Sequence, residues 1–203
     1  DTRQGTHGVS YGAFAQIKTT TEGVIDTSVT VTPMTGLRNV NIETTTEESP
    51  FYADNVKHLT LSGAPTTEGS ITVYQFNEDF VLKHLGKKKM TNTGLVDTGV
   101  SENFIFQYIR TLVDEFGKTK RQLVIYYNLK ASPPTGEDAT DEDSAELKEY
   151  EIPVTGSPNN LVLDSDGNSV TTMVVTEDDT NTKLIDLAYK QLILPTTAIP
   201  ESV

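Results

Sequence analysis

The chain has neither cysteine nor tryptophan among its 203 residues. Without cysteine it has no disulfides, thiolate nucleophiles or cysteine metal ligands, which suits a protein made in a reducing cytoplasm. The absence of tryptophan disfavours a carbohydrate-binding module, because such modules stack sugars on exposed aromatic rings. No apolar run approaches the roughly 20 residues that a membrane helix requires. We therefore expect a chain without a membrane span.

Positive charge is also scarce. The chain has 16 Lys and Arg against 29 Asp and Glu, a formal net charge of −13. A protein that grips phosphates must supply basic side chains to displace counterions, so specific nucleic-acid binding is disfavoured. The only basic cluster is Lys87, Lys88 and Lys89. We interpret it as a helix end or a subunit contact, not as a DNA grip.

Negative charge concentrates in a predicted loop over residues 132–147, which Pro133 and Pro134 open. A run of this kind is solvated, or it faces something that must be repelled. Its acidic residues are Glu137, Asp138, Asp141, Glu142, Asp143 and Glu146.

No catalytic, cofactor or metal motif is present. The three histidines, His7, His58 and His84, lie in different segments, and no G-x-S-x-G, H-E-x-x-H or phosphate-cradling glycine loop occurs. The stretch 164–167 begins like a calcium loop, but the twelfth position is Val175 where a glutamate would be needed. We expect a hairpin turn there, no catalytic residues, no cofactor and no metal.

Strand patterns dominate the chain and predict a mainly β protein. In residues 103–113, Phe104, Phe106 and Tyr108 share one face, and Ile105, Gln107 and Ile109 share the other. Apolar residues on both faces are typical of an inner sandwich strand, or of a strand buried between subunits. The predicted strands are 7–18, 24–31, 37–43, 57–61, 70–76, 103–113, 120–129 and 150–155, and further extended segments are 161–163 and 170–175. Strands 103–113 and 120–129 are expected to form a hairpin.

One short helix is predicted over residues 77–86, with Asn77 as N-cap and Gly86 at the C-cap. A second helix is possible near residues 181–192, although 192–194 could instead end as a strand. Residues 90–101 are predicted to be a projecting loop, and residues 195–203 a mobile tail.

The word Phe51-Tyr52-Ala53-Asp54-Asn55 precedes a strand, the short helix, the strand pair and the acidic loop, in that order. This order resembles the major tail protein, or tail-tube subunit, of phages with long non-contractile tails that infect Gram-positive bacteria. The resemblance covers about residues 36–158 and implies a β-sandwich or barrel-like tail-tube fold. We expect one such domain over residues 1–203.

The same resemblance implies a structural virion protein, made in the host cytoplasm, that assembles with itself. Hexameric rings would stack into a tube through which DNA passes without specific binding, and the acidic residues of the predicted loop 132–147 are the candidates for repelling that DNA. Its partners would be the tape-measure, the baseplate or distal tail, and the tail terminator proteins. Asymmetric rings that stack head to tail make a filament, because such contacts do not close.

Candidate contacts are residues 44–55 and 90–101, together with the lysine cluster. Phe51 and Tyr52 are either buried contact anchors or ordinary core residues, and Ala53, Asp54 and Asn55 complete the candidate segment. Two other functions remain open: a distal tail or baseplate component on a related fold, and a secreted β-sandwich adhesin or carbohydrate-binding module. An enzyme is the weakest class.

Overall fold

A computed structural model describes residues 4–53, 56–135 and 148–200. It is mainly β, as predicted, with two short helices, α1 (Glu78–His84) and α2 (Thr182–Ala188). The strands are β1 (Gln4–Gln16), β2 (Thr32–Pro33), β3 (Leu37–Thr45), β4 (Glu48–Ala53), β5 (Val56–Ser62), β6 (Thr66–Val73), β7 (Lys87–Lys89), β8 (Leu95–Asp97), β9 (Phe104–Asp114), β10 (Thr119–Ala131), β11 (Tyr150–Gly156), β12 (Asn159–Leu163), β13 (Ser169–Val170) and β14 (Thr172–Thr176).

The largest sheet curls until its two ends approach each other. Its strand order is β2-β1-β9-β10-β11-β6-β3, and every neighbouring pair is antiparallel. Strand β2 runs almost directly into β3, and the Met34 amide between them donates to the Gly12 carbonyl of β1 at 2.8 Å. The β-sandwich or barrel-like expectation is therefore confirmed.

Strands β9 and β10 are buried on both faces, as the alternating residues predicted. One face fills the inside of the curl, where Phe104 and Phe106 pack with Ile71 and Ile152. The opposite face of the same strands packs Ile105 and its neighbours under α2. Burial of apolar side chains on both faces makes this strand pair the centre of the core. The predicted hairpin that joins β9 to β10 is also confirmed.

Strand β10 divides the sheet into two branches. Its residues 122–126 pair with β14, and its residues 129–131 pair with β11. The β11 branch continues round the curl, whereas the β14 branch extends an antiparallel sheet in the order β1-β9-β10-β14, which we call the β14 sheet. The second branch therefore ends at β14.

A long hairpin begins with β3 and β6 at the β3 end of the large sheet. Strands β3 and β6 pair from Leu37 opposite Val73 to Thr45 opposite Thr66. The Gly63 amide then donates to the Glu47 carbonyl at 2.7 Å, and β4 and β5 continue the pairing outward. We call the outer half, residues 48–62, the arm. The candidate contact segment 44–55, expected to be a loop, is mostly strand where the structure describes it, because its β-branched and aromatic residues favour pairing; only residues 46 and 47 interrupt the strands.

Helix α1 forms where its capping signals predicted. The Asn77 side chain accepts a hydrogen bond from the Asp79 amide at 2.9 Å, and Gly86 adopts φ +70° just after the helix. Phe80 and Leu85 are buried among the residues inside the curl. The helix therefore closes the end of the curl at which β9 begins.

Helix α2 is shorter than the predicted span 181–192. It ends at Ala188, and Leu192 and Ile193 are buried without forming either more helix or a strand. The Tyr127 hydroxyl donates to the Ile193 carbonyl at 2.8 Å. This tertiary hydrogen bond and the apolar burial override the helical spacing of the sequence.

Two more predictions are corrected. Residues 24–31 form turns, with only an isolated bridge between Ile25 and Thr19, because Asp26 accepts hydrogen bonds from the Ser28 amide and hydroxyl in a local turn. Residues 90–101 are not wholly loop, because β8 pairs with β7 in a small hairpin. The predicted turn at 164–168 is confirmed, since Asp164 accepts from the Asp166 and Asn168 amides.

Candidate assembly surfaces

The arm carries the first candidate contact. Phe51, Tyr52 and Ala53 lie at the outer end of β4, opposite residues 56–59 of β5. Asp54 and Asn55 fall outside the described residues. Among the strands that the structure describes, β4 and β5 pair only with each other. A two-stranded ribbon without a further sheet partner is marginal by itself, so the arm is a surface that another chain could stabilise.

The β14 sheet offers a second surface, because among the described residues its β14 edge is open and its β1 edge is only partly covered. Within the described ranges, no strand pairs with the outer edge of β14, and β2 covers β1 only at Ala13 and Phe14. Unpaired edges present amide and carbonyl groups that can accept a strand from another chain. The sheet can therefore extend at both sides.

The β14 edge has few of the features that normally prevent strand addition. Its sequence, Thr172 to Thr176, contains no charge, proline or glycine, and the pairing with β10 is free of bulges. Val174 is 53% exposed on it. Strand β1, by contrast, has register shifts on either side of Val9, and Gly8 adopts φ +63°. The sequence predicted an extended segment at 170–175, but nothing in it identified an edge.

Polar side chains hold β14 in register. The Arg110 Nε donates to the Gln122 Oε1 at 2.6 Å, and the Gln122 Nε2 donates to the Thr176 Oγ1 at 2.7 Å. These two hydrogen bonds connect β9, β10 and β14 in a row on one face of the sheet. These hydrogen bonds thus hold the β14 edge in register with the core strands β9 and β10.

Arg121 fixes the end of β14 against α2. Its guanidinium donates to the Glu177 carboxylate through Nε at 3.1 Å and Nη2 at 2.7 Å, and to the Asp186 Oδ1 at 2.7 Å. The Arg121 amide also donates to the Glu177 Oε2. These hydrogen bonds lower the pKa of Glu177 below its usual 4.5. The cluster joins β10, the end of β14 and α2 through charge-assisted bonds.

The lysine cluster forms β7, not the helix end. Lys87 pairs with Asp97 at 2.8 Å, and Lys89 pairs with Glu78 at 2.5 Å. Both pairs are largely exposed and contribute little to stability. Lys88 is exposed and makes no ion pair within the described part of the chain. It alone of the three offers an uncompensated charge to a partner.

The predicted acidic loop lies almost wholly outside the described residues. Glu137, Asp138, Asp141, Glu142, Asp143 and Glu146 all fall in the span 136–147. The segment that leads into it is fixed, because Thr135 and Glu151 exchange two backbone hydrogen bonds. The loop therefore starts beside β11. Its role in repelling DNA stays a prediction.

A small pocket beside α1, of about 250 Å³, has the buried His84 in its wall. Ligand pockets are usually larger, roughly 300–1,000 Å³. The His84 Nδ1 donates to the Glu102 carbonyl at 2.9 Å, and burial lowers the pKa of His84. Its ring packs against Phe14, Phe80 and Phe104. Since a neutral ring suits this aromatic environment, we interpret His84 as a packing residue.

Comparison with known proteins identifies the family. The family model described as "Phage tail tube protein" matches residues 1–201. Among solved structures, the anti-feeding prophage cap (AFP tube terminating cap) matches with 15% identity and a TM-score of 0.35, covering 72% of this chain and 83% of that one. None of the curated proteins matches. No helix in the described ranges is long and apolar enough to cross a bilayer. The chain belongs to the phage tail tube protein family, a family of structural tail components.

Proposed function

We propose that this tail tube protein self-assembles into stacked hexameric rings that form the tail tube through which phage DNA is ejected into the host. The observation that carries the proposal is the combination, among the described residues, of an arm without a further sheet partner and a sheet whose β14 edge is open and whose β1 edge is only partly covered. Both features leave backbone hydrogen-bonding groups available for neighbouring copies.

The strand count of the β14 sheet favours ring closure. In the order β1-β9-β10-β14 all neighbours are antiparallel, so β1 and β14 run in opposite directions. When rotation about a ring axis brings the β14 edge of one copy beside the β1 edge of the next, the two strands are again antiparallel. An even number of strands per copy thus allows one continuous antiparallel sheet around the ring.

The arm supplies the other contact. Residues 48–62 extend the β3–β6 ladder beyond the core, and the arm carries the candidate residues Phe51 and Tyr52. We assign it to packing against an adjacent copy, where the aromatic side chains would be buried anchors. The stacking contact between rings is heterologous, so it lengthens the tube instead of closing it.

The acidity of the chain suits a channel for DNA. A net charge of −13 supplies few phosphate-neutralising groups, so a duplex could slide through the lumen without being held. The residues of the 137–146 loop are our candidates for repelling DNA. The corresponding partners are the tape-measure, baseplate or distal tail, and terminator proteins. We further infer a single domain over 1–203, synthesis in the host cytoplasm and a Gram-positive host.

The test is negative-stain electron microscopy of the purified protein at increasing concentration, with mass photometry at the low end. We expect rings with the mass of six copies, followed by hollow tubes of uniform width. If the protein remains a monomer, purified tail initiator components are added. A monomer that persists even then contradicts tube formation, and a ring mass other than six copies contradicts the hexamer alone.

A further inference from the structure

The two ends of strand β9 carry different exposed groups. At its end, the turn to β10 places Phe116 in solvent, with 78% of the side chain exposed. At its start, Glu102 binds α1 through a hydrogen bond from its amide to the Lys83 carbonyl, and the β7–β8 hairpin lies next to that helix. An 11-residue strand separates the two ends by about 30 Å.

The turn residue Phe116 is unusual for its position. Turns favour Gly, Asn, Asp and Ser, and this one uses Asp114, whose side chain accepts hydrogen bonds from the Phe116 and Lys118 amides. Phe116 contributes no side chain to the core, yet it is the most exposed large apolar residue of the described chain. Beside it, Glu115 is exposed and makes no ion pair within the described ranges. The turn therefore presents an aromatic ring next to an uncompensated carboxylate.

The β7–β8 hairpin presents the complementary pair. Lys88 lies opposite Val96, so both side chains project from one face, whereas Lys89 reaches Glu78 of α1 from the other face. The Lys88 and Val96 face is directed away from α1. Val96 is 41% exposed, and Val100 near the base of the hairpin is 75% exposed. Apolar groups thus stand beside a lysine that makes no ion pair within the described residues.

We infer that the Phe116 turn of one copy packs on the Lys88 and Val96 face of the β7–β8 hairpin of the next copy along the tube. The inference rests on the proposed function, because it takes the partner to be a second copy. The ring of Phe116 covers Val96, and Glu115 approaches Lys88. Because the two surfaces lie at opposite ends of β9, one copy cannot satisfy both by itself, and the contact propagates as a filament.

Cross-linking between single-cysteine variants tests this contact, since the natural chain has no cysteine to interfere. Equal amounts of Glu115→Cys and Lys88→Cys proteins are assembled and treated with a short bismaleimide. We expect a cross-linked heterodimer that forms only in the assembled state. A matched mixture of Glu115→Cys with Glu22→Cys, which is exposed in a turn elsewhere, is expected to give none.

Variants of Phe116 supply the second measurement. We expect Phe116→Ser to raise the protein concentration needed for tubes at least tenfold while rings still form, and Phe116→Tyr to retain tube formation. Tubes assembled from the Glu115→Cys and Lys88→Cys proteins that give no 115–88 cross-link, or Phe116→Ser tubes that form as readily as wild type, overturn the inference and leave the proposed function standing. If neither rings, tubes nor cross-links form even with initiator components, the proposed function fails as well.

Discussion

The centre of the sheet and the arm use backbone pairing in opposite ways. Strands β9 and β10 have strand neighbours on both edges and apolar contacts on both faces. The arm strands β4 and β5 pair with each other and, among the described residues, with no other strand. The first region holds the monomer together by itself, whereas the second gains partners only through another copy. Substitutions should therefore affect stability in one region and assembly in the other.

The largest effect on stability is expected for Phe106→Ala, because Phe106 is fully buried inside the curl. The lost apolar contacts and the residual cavity should cost about 3–5 kcal/mol of the free energy of unfolding. The control is the same replacement at exposed Phe116, which should change stability by no more than about 0.5 kcal/mol. Urea denaturation of the monomers measures both changes. Equal losses in the free energy of unfolding would contradict the assignment of Phe106 to the core and of Phe116 to the surface.

Removal of the arm should abolish tubes and leave the fold intact. Glu47 and Gly63 already share a backbone hydrogen bond, so a short Asn-Gly turn can replace residues 48–62. We expect native-like circular dichroism and cooperative unfolding, but no tubes under electron microscopy. As a control, replacing 164–168 by the same turn shortens a different hairpin and should preserve tubes. Normal tubes without the arm would contradict its role in assembly.

The Arg121 cluster joins the central strand β10 to the end of the edge strand β14 and to α2. Arg121→Met should cost about 1.5–3 kcal/mol of the free energy of unfolding, the range for hydrogen bonds to charged groups. The exposed pair of Arg38 with Glu149 is the control, and Arg38→Met should cost less than about 1 kcal/mol. Equal effects in urea denaturation would show that the cluster is no more than a surface ion pair.

The same cluster predicts a pH dependence. Because the folded protein lowers the pKa of Glu177 below 4.5, its contribution to stability is present above pH 4.5 and is lost as the pH falls through the lowered value. Arg121→Met should make the loss of stability below pH 4.5 less steep. Parallel pH profiles for the two proteins would contradict this coupling.

The smallest effect is expected from one added charge on the sheet edge. Val174→Lys should raise the concentration needed for ring formation about tenfold, or about 1.4 kcal/mol, because a lysine blocks edge pairing. Val24→Lys adds the same charge at a similarly exposed turn position and should have little effect. Because the chain is acidic, the added positive charge by itself would favour association between copies, so electrostatic repulsion would not explain weaker ring formation. Matching behaviour of the two variants would contradict a role for β14 at the interface.

Local patterns predicted much of the fold. The alternation from Phe104 to Ile109 predicted burial on both faces, and Asn77 and Gly86 located α1 to within two residues. Both signals act within a few residues, through side-chain direction or capping. The strand prediction for residues 24–31 was wrong, because the hydrogen bonds from Ser28 to the Asp26 side chain favour a turn over the β-branched run.

The assembly surfaces were less predictable. The sequence indicated contacts at Phe51 and Tyr52 and at the lysine cluster. It could not reveal that, among the described strands, β4 and β5 pair only with each other and β14 ends the sheet. Those are properties of long-range pairing, and β10 divides its edge between β11 and β14. Phe116 did leave a local signal, an apolar residue in a turn, which has meaning only once its exposure is known.

Amide hydrogen exchange, measured on the monomer and on the assembled protein, tests most directly whether copies meet at these open surfaces. We expect the outward-facing amides of the arm and of β14, which have no strand partner among the described residues, to exchange readily in the monomer and to become protected in tubes. Amides in the middle of β9 and β10 should be protected in both states, because they are paired within each copy. Unchanged exchange in the arm and in β14 after tubes have formed would contradict the account.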